Sequence, residues 1–417
     1  MSPGRPSDSE NTRRQAQCTS SNERRRRVSR ADLRSRRVGR PAAELAGRGD
    51  DVDGQAQAGA TVEIVASSGD FCGRGAYSPT SQIRARIWTF EESEAIDAAF
   101  FRRRLARAVE SRRRLALLDA HGACRLVFSE SDGLPGLIVD RYGEYLVCQF
   151  LSAGAEVWRA TIVELLGELC APRGIYERSE GGARHKEGLS SRRGLLAGEE
   201  PPAELEIVMG GARLVVDIAN GQKTGAYLDQ QRNREQVAVH ARDADVLDAF
   251  SYTGGFAIAC LHAGAQRATL IDSSADALEL AKRETSANGV GDRCKFVVAN
   301  VFDELRSVRG AGTRFDLVVL DPPKFVHSAD QVAAGSRGYK DINMLGLALV
   351  RPGGVLATFS CSGHVDAALF QKIVAGAAVD AGRTAQILER LSQPADHPVA
   401  TEFPEGDYLK GLILRVH

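Results

Sequence analysis

No stretch of this 417-residue chain carries 18 consecutive apolar residues, so no membrane span is expected. The N-terminus lacks the apolar core of a secretory leader and is rich in Arg, Ser and Asp instead. The eight cysteines never form a CxxC pair, which argues against a zinc site and against a disulfide framework. Two of them, Cys148 in YLVCQF and Cys260 in FAIACL, sit inside apolar runs where a reduced core thiol is the simplest reading. Together these absences point to a reducing cytoplasm. Net charge is absent as well, with 54 basic residues against 54 acidic ones. The charge is unevenly spread. Residues 1–120 hold 23 Arg and Lys against 16 Asp and Glu, a basic front end compatible with a polyanionic partner.

Residues 1–55 run through RRRR (Arg24 to Arg27) with almost no apolar periodicity, and disorder is expected there. Residues 56–92 read as a small β-rich piece, with TVEIV alternating like a strand. A charged helix follows near Ile96 to Leu118, then short strands, an amphipathic helix from Trp158 to Leu169 and a strand at 175–178. Residues 93–203 therefore form a compact α/β middle domain, with 189–203 as its surface linker. From 204 to 417 the pattern changes. Two alternating runs around Gly210-Gly211 signal a hairpin. Strands at 246–250, 268–272, 295–299, 315–321 and 353–360 then alternate with helices, and two more strands close the chain. That order predicts a doubly wound, parallel, Rossmann-like α/β sheet.

The first strand ends at Asp248 and continues as AFSYTGGFA. Gly254 and Gly255 allow a tight turn before the helix, whose free N–H groups face a ligand. This is not GxGxxG, so a dinucleotide pyrophosphate cradle is not predicted. Asp248, Phe250, Tyr252, Gly254 and Gly255 are candidate cofactor residues, the acidic one suited to a cationic amino group. Asp272, at the end of the second strand, is placed to accept ribose hydroxyls. Asn300, after the third, offers an amide to an adenine edge. Asp321 closes the set on the fourth. S-adenosylmethionine matches this ordered set best.

The fourth strand ends in Leu320-Asp321-Pro322-Pro323-Lys324-Phe325. Enzymes that methylate exocyclic amines usually place an aromatic after such a DPP. Lys324 stands there instead, with Phe325 one position later and able to stack on a base. The fifth strand ends in Phe359-Ser360-Cys361-Ser362-Gly363-His364, which brings a thiol beside Asp321. A cysteine in a Gly/Ser turn at the carboxyl end of a sheet is suited to nucleophilic catalysis. Carbon 5 of cytosine needs such a thiolate, because addition at C6 makes C5 enamine-like. Asp321 at N3 would stabilise the developing charge. His364 either tunes the thiol or is a plain surface residue.

GQKTGAYLDQQRNR (221–234), VLDAFSYTGGFAIACLHAGA, LDPPKF and FSCSGH resemble the bacterial 23S rRNA cytosine-C5 methyltransferase family. FSESDGLPGLIVDRYG and IYERSE extend the resemblance upstream, and it covers about residues 70–417. It implies a PUA RNA-binding domain, a middle α/β domain and a class I methyltransferase domain. It implies Cys361 as nucleophile, Asp321 as its partner on the base, and ribosomal RNA, 23S, as substrate. It also implies that the LDQQRNR segment lies over the cofactor, with Asp229, Gln230 and Arg232 near the active site. Gln230 is carried as a cofactor contact; Lys324, Phe325 and Arg232 are carried as substrate contacts. The front end departs from the family, since only 59–90 reads as PUA-like strand, and a truncated PUA is expected. Asn300 replaces a common Asp, and Gln231 interrupts the usual D-Q-R run. A homodimer is compatible with the sequence. The alternatives are methylation of an exocyclic amine of RNA or of a protein, or non-catalytic RNA binding; Cys361 separates the first two from C5 chemistry.

Overall fold

A computed structural model describes residues 33–34, 43–45, 52–53, 56–66, 68–221 and 223–417. Four sheets lie in succession along the described residues, the third a two-stranded hairpin. The first contains β1 (Leu33–Arg34), β2 (Ala43–Leu45), β3 (Val52–Asp53), β4 (Thr61–Ala66), β5 (Phe71–Tyr77) and β6 (Ala85–Thr89), in the order β3-β2-β4-β5-β6. β1 also pairs with β4, Leu33 opposite Ala66. The front sheet is therefore larger than the expected truncated piece, because part of 1–55 adds strands to the edge of β4. Strands of two or three residues carry no alternation of their own, so periodicity could not reveal them. The rest of the segment expected to be disordered lies outside the described residues.

The middle domain opens with α1 (Ala98–Arg114), whose N-cap Asp97 accepts from Phe100 N–H at 2.8 Å. It continues through β7 (Ala123–Phe128), β8 (Leu137–Tyr142), β9 (Tyr145–Phe150), α2 (Ala153–Val157), α3 (Arg159–Cys170), β10 (Gly174–Ser179), α4 (Gly182–Lys186) and β11 (Arg192–Gly198). The five strands run β11-β10-β9-β8-β7. β11 occupies the stretch expected to be a linker. It is a largely exposed edge strand in which only Leu196 packs onto the core, which hid it in the sequence. Phe100, Phe101, Leu105 and Ile162 fill the core. Trp88 of the first sheet joins them edge-on, 5.3 Å from Phe101, so the two parts share one core.

The hairpin β12 (Leu205–Met209) and β13 (Ala212–Val216) turns through Gly210 and Gly211, both at positive φ (59° and 77°). After α5 (Gln231–Ala238) comes the large sheet. Its elements are β14 (Asp245–Ala249), α6 (Gly255–His262), β15 (Arg267–Asp272), α7 (Ala275–Ala287), β16 (Cys294–Val298), α8 (Val301–Gly310), β17 (Phe315–Leu320), α9 (Val332–Leu349), β18 (Val350–Ser360), α10 (Ala367–Asp380), β19 (Ala385–Ser392) and β20 (Lys410–Val416). The strand order is β16-β15-β14-β17-β18-β20-β19. The sheet is Rossmann-like but not wholly parallel. β20 runs antiparallel between β18 and β19 because no crossover helix separates it from β19. Apolar clusters cover both faces.

The 393–409 segment before β20 reaches back into the middle domain. Arg112 makes a two-pronged bond to Asp132 (2.8 and 2.9 Å) and donates to the Asp396 carbonyl at 2.7 Å. Arg125 pairs with buried Asp140 at 2.8 and 2.9 Å, and Thr224 Oγ1 donates to the same carboxylate at 2.6 Å. These bonds fix the middle domain against the carboxyl end of the large sheet.

Candidate active site

The order β15-β14-β17-β18 brings the four predicted strand ends side by side. The loop after β14 is held in a costly shape. Phe250, Tyr252 and Gly254 all have positive φ (64°, 49° and 80°), and two of them carry a side chain. Three bonds impose this shape. Ser251 N–H donates to Ile271 O (3.1 Å), Tyr252 N–H to Asp272 Oδ2 (2.9 Å) and Ala257 N–H to Asp248 Oδ2 (3.0 Å). A Cβ at Gly254 would stand 2.7 Å from the Leu270 side chain, so the turn needs glycine for space as well as for φ.

Asp248 is 1% exposed, and its Oδ1 has no hydrogen-bond partner. Burial pushes this carboxyl up to about 7. Asp272 also accepts Ser274 N–H (2.9 Å), so each of its oxygens is oriented by one backbone donor and keeps a lone pair for a ribose hydroxyl. Asn300 is exposed and caps α8, its Oδ1 accepting weakly from Asp303 N–H (3.4 Å). These groups fit S-adenosylmethionine. There is an unsatisfied buried acceptor for the amino group, an oriented carboxylate for the ribose and a close-packed glycine turn between them.

On the reaction side, burial pushes Asp321 up to about 7, and the nearby charge of Asp229 adds to the rise. Gln230 Nε2 donates to Asp321 Oδ1 at 3.0 Å, and Asn233 Nδ2 donates to Gln230 Oε1 at 2.6 Å. Asp229 accepts from Lys223 Nζ (2.9 Å) and Tyr408 OH (2.6 Å). Although burial works the other way, Lys223, His397 and Tyr408 hold Asp229 well below the usual carboxylate range. Cys361 follows β18, which pairs with β17 through Leu320 and Thr358. Its turn is pinned from three sides. Ser362 Oγ accepts Val326 N–H (3.2 Å) and bonds Tyr339 OH (2.9 Å), while Lys410 Nζ donates to Ser362 O (2.8 Å). Burial and then the Asp321 charge push the Cys361 thiol up, and the Lys223 ammonium opposes them.

The structure thus brings Cys361, Asp321, Gln230 and Asp229 together and sets Asp248 and Asp272 on adjoining strands. Four residues singled out in the sequence stand apart. Phe325 is packed between Phe302 (6.0 Å) and Tyr339 (4.7 Å), so it builds the pocket wall and its ring is committed to that packing. Lys324 and His364 are exposed at the rim. Arg232 lies on the exposed face of α5, whereas Arg234 turns inward. Helical spacing explains the exchange, since Gln230, Asn233 and Arg234 are related by i, i+3 and i+4. Lys223, Tyr408 and Lys410 were also missed; they become neighbours of the site only through the fold. The Arg-rich face of α1 is largely matched internally. Arg102 pairs with Glu168, Arg103 and Arg104 with Glu94, and Arg113 and Arg114 with Glu110.

Comparison with known proteins identifies the family and the fold. A family model for S-adenosylmethionine-dependent methyltransferases matches residues 182–415, and one for PUA-like domains matches 47–90. The ribosomal RNA large subunit methyltransferase I of Aliivibrio fischeri is 51% identical over 368 residues, covering 88% of this chain and 93% of that protein. The proteins of the same name from Klebsiella pneumoniae (50% over 366 residues, 88% and 92%) and Escherichia coli (48% over 366 residues, 88% and 92%) are similar. Among solved structures, a protein from Streptococcus mutans described as a SAM-dependent methyltransferase shares the fold. It is 22% identical with a TM-score of 0.76, covering 87% of this chain and 93% of that one. Another, complexed with SAH, also has a TM-score of 0.76 at 21% identity, covering 87% and 92%. The chain belongs to the ribosomal RNA large subunit methyltransferase I family of S-adenosylmethionine-dependent enzymes.

Proposed function

We propose that this protein methylates carbon 5 of a cytosine in 23S ribosomal RNA, with Cys361 as a covalent nucleophile. One observation carries the reading: a cysteine in a hydrogen-bonded turn at the mouth of β18, beside a half-buried carboxyl, Asp321, raised to about 7. Direct attack on a methyl group by an amine needs no thiol. Attack by cytosine C5 does, because the unactivated ring carbon is a poor nucleophile.

Asp321 populates its protonated form near neutral pH, so it donates to N3 of the base. The Cys361 thiolate adds to C6, and the electron pair of the C5–C6 double bond moves toward N3, where Asp321 stabilises it. Bound S-adenosylmethionine supplies the methyl group that C5 takes. Loss of the C5 proton then drives out the thiolate and restores the ring double bond. Gln230 fixes the Asp321 carboxyl for this exchange, itself held by Asn233. Lys223, whose charge opposes the rise of the Cys361 thiol, favours the thiolate. The base must leave its stack to enter the pocket. The PUA-like sheet and the exposed Lys324 and Arg232 are in our reading the RNA-holding surface.

The test uses tritiated S-adenosylmethionine and ribosomal RNA, free or assembled into subunits. Wild type should place label in 5-methylcytidine, and Cys361→Ala should place none. RNA carrying 5-fluorocytidine, which has no C5 proton to lose, should trap wild type as a covalent adduct and leave Cys361→Ala untrapped. Label that survives the substitution would refute the covalent route and favour an amine target.

A further inference from the structure

Arg234 has no assigned role, yet it is a half-buried cation turned inward toward the cofactor region. Its Nη2 donates to Tyr227 O at 3.3 Å, and its Nε is buried without a partner. Among the described residues no carboxylate comes within salt-bridge distance of it. Burying a guanidinium without an ion pair is costly, and such sites normally hold an anion or lose the charge. Arg234 cannot lose its charge at neutral pH.

Its surroundings fit an anion that arrives together with a cation. The guanidinium lies flat against Gly255, the first residue of α6. A Cβ there would stand 2.7 Å from Arg234 Cζ. The N-terminus of this eight-residue helix, whose Ala257 N–H is taken by Asp248, adds further positive potential at the same spot. Four carboxyls lie around the cation without touching it: Asp321, Asp229, Glu284 and Asp248. Asp248 Oδ1 and Glu284 Oε2 have no hydrogen-bond partner, on residues 1% and 2% exposed. Unsatisfied acceptors and an unsatisfied donor thus share one place. A zwitterion satisfies both.

We infer that Arg234 binds the α-carboxylate of S-adenosylmethionine, while Asp248 faces its α-amino group. The strand order is consistent with this placement. Asp272 on β15 takes the ribose, and the methyl group must reach Asp321 and Cys361 beyond β17 and β18. The end of β14, beside Arg234 of α5, lies between these two groups. Arg234 sits four residues after Gln230, so one helix face aligns the tail through Arg234 and the catalytic carboxyl through Gln230. Cofactor binding and Asp321 alignment are coupled through α5.

The experiment is calorimetric titration of the full chain with two ligands. One is S-adenosylhomocysteine; the other is S-adenosyl-3-thiopropylamine, which differs only in lacking the carboxylate. Wild type should prefer the first by about tenfold or more, the size of one charge-assisted hydrogen bond. Arg234→Met should bind both alike, at the wild-type affinity for the thiopropylamine. Arg234→Lys, which keeps the charge and loses the fork, should show an intermediate preference. Equal binding of the two ligands by wild type overturns the inference whatever the variants do. So does a full preference retained in Arg234→Met. Equal weakening of both ligands in Arg234→Met would make the residue a mere support for the loop, which also overturns it. Wild type that binds neither ligand would instead refute the cofactor assignment itself.

Discussion

Replacing Asp321 by Asn should abolish methylation and yet make the protein more stable, by an amount that grows with pH. The ordinary carboxyl value is 3.8 and the native one about 7. The native state thus holds its proton up to a higher pH than the unfolded chain does. Between those values the unfolded state binds fewer protons, and stability falls as pH rises. Fully developed above pH 8, the penalty is about 4 kcal/mol, and at pH 5 about 1.5 kcal/mol. Asp321 is partly exposed at the pocket mouth, so solvent reduces both figures by about half. Asn keeps the acceptor for Gln230 and carries no charge at any pH, so it escapes the penalty. Calorimetric scans should show the methyltransferase transition of Asp321→Asn above that of wild type. The gap should widen by several degrees from pH 5 to pH 8, at about 2–4 °C per kcal/mol for a domain of this size. Both Trp88 and Trp158 lie outside that domain, so calorimetry reports it better than tryptophan fluorescence. A variant less stable than wild type at pH 8, or a gap that stays flat with pH, would mean that Asp321 is ionised and paired in the native protein. Its proposed donation to N3 would then fail.

Two further predictions concern buried charges. Asp248 stands at about 7, and a cationic amino group beside it would draw that value down. Binding of S-adenosylhomocysteine at pH 6 should therefore release a proton, seen as a binding enthalpy that changes with buffer ionisation enthalpy. The effect should fade above pH 8 and be absent in Asp248→Asn; a buffer-independent enthalpy in wild type would rule out the contact. Arg125→Met leaves Asp140 buried without its partner, which should cost about 3–5 kcal/mol in urea unfolding. Arg125→Met combined with Asp140→Leu should recover much of that loss, and a double variant as weak as the single one would show that packing, not the orphaned charge, sets the cost.

The residues legible in the sequence were those at strand ends. A parallel sheet writes its strands as short apolar runs, and the residue that ends each run has a known place at the carboxyl edge. Asp248, Asp272, Asp321 and Cys361 could therefore be located by counting runs, before any contact was known. Residues on helices and on the long 393–409 return carry no such marker. Arg232 and Arg234 differ only in phase around α5, and that phase is set by Gln230 meeting Asp321, a contact between residues 91 apart. Tyr408 reaches Asp229 across 179 residues, and Arg112 reaches Asp396 across 284. No local period encodes such pairs. The front sheet was lost for the opposite reason, since its outer strands are too short to show any period at all. The half-buried cation without an ion pair required a third kind of reading. Arg234 could be singled out only once every neighbouring carboxyl had been placed and found out of reach, which is a property of the whole site and of no segment in it.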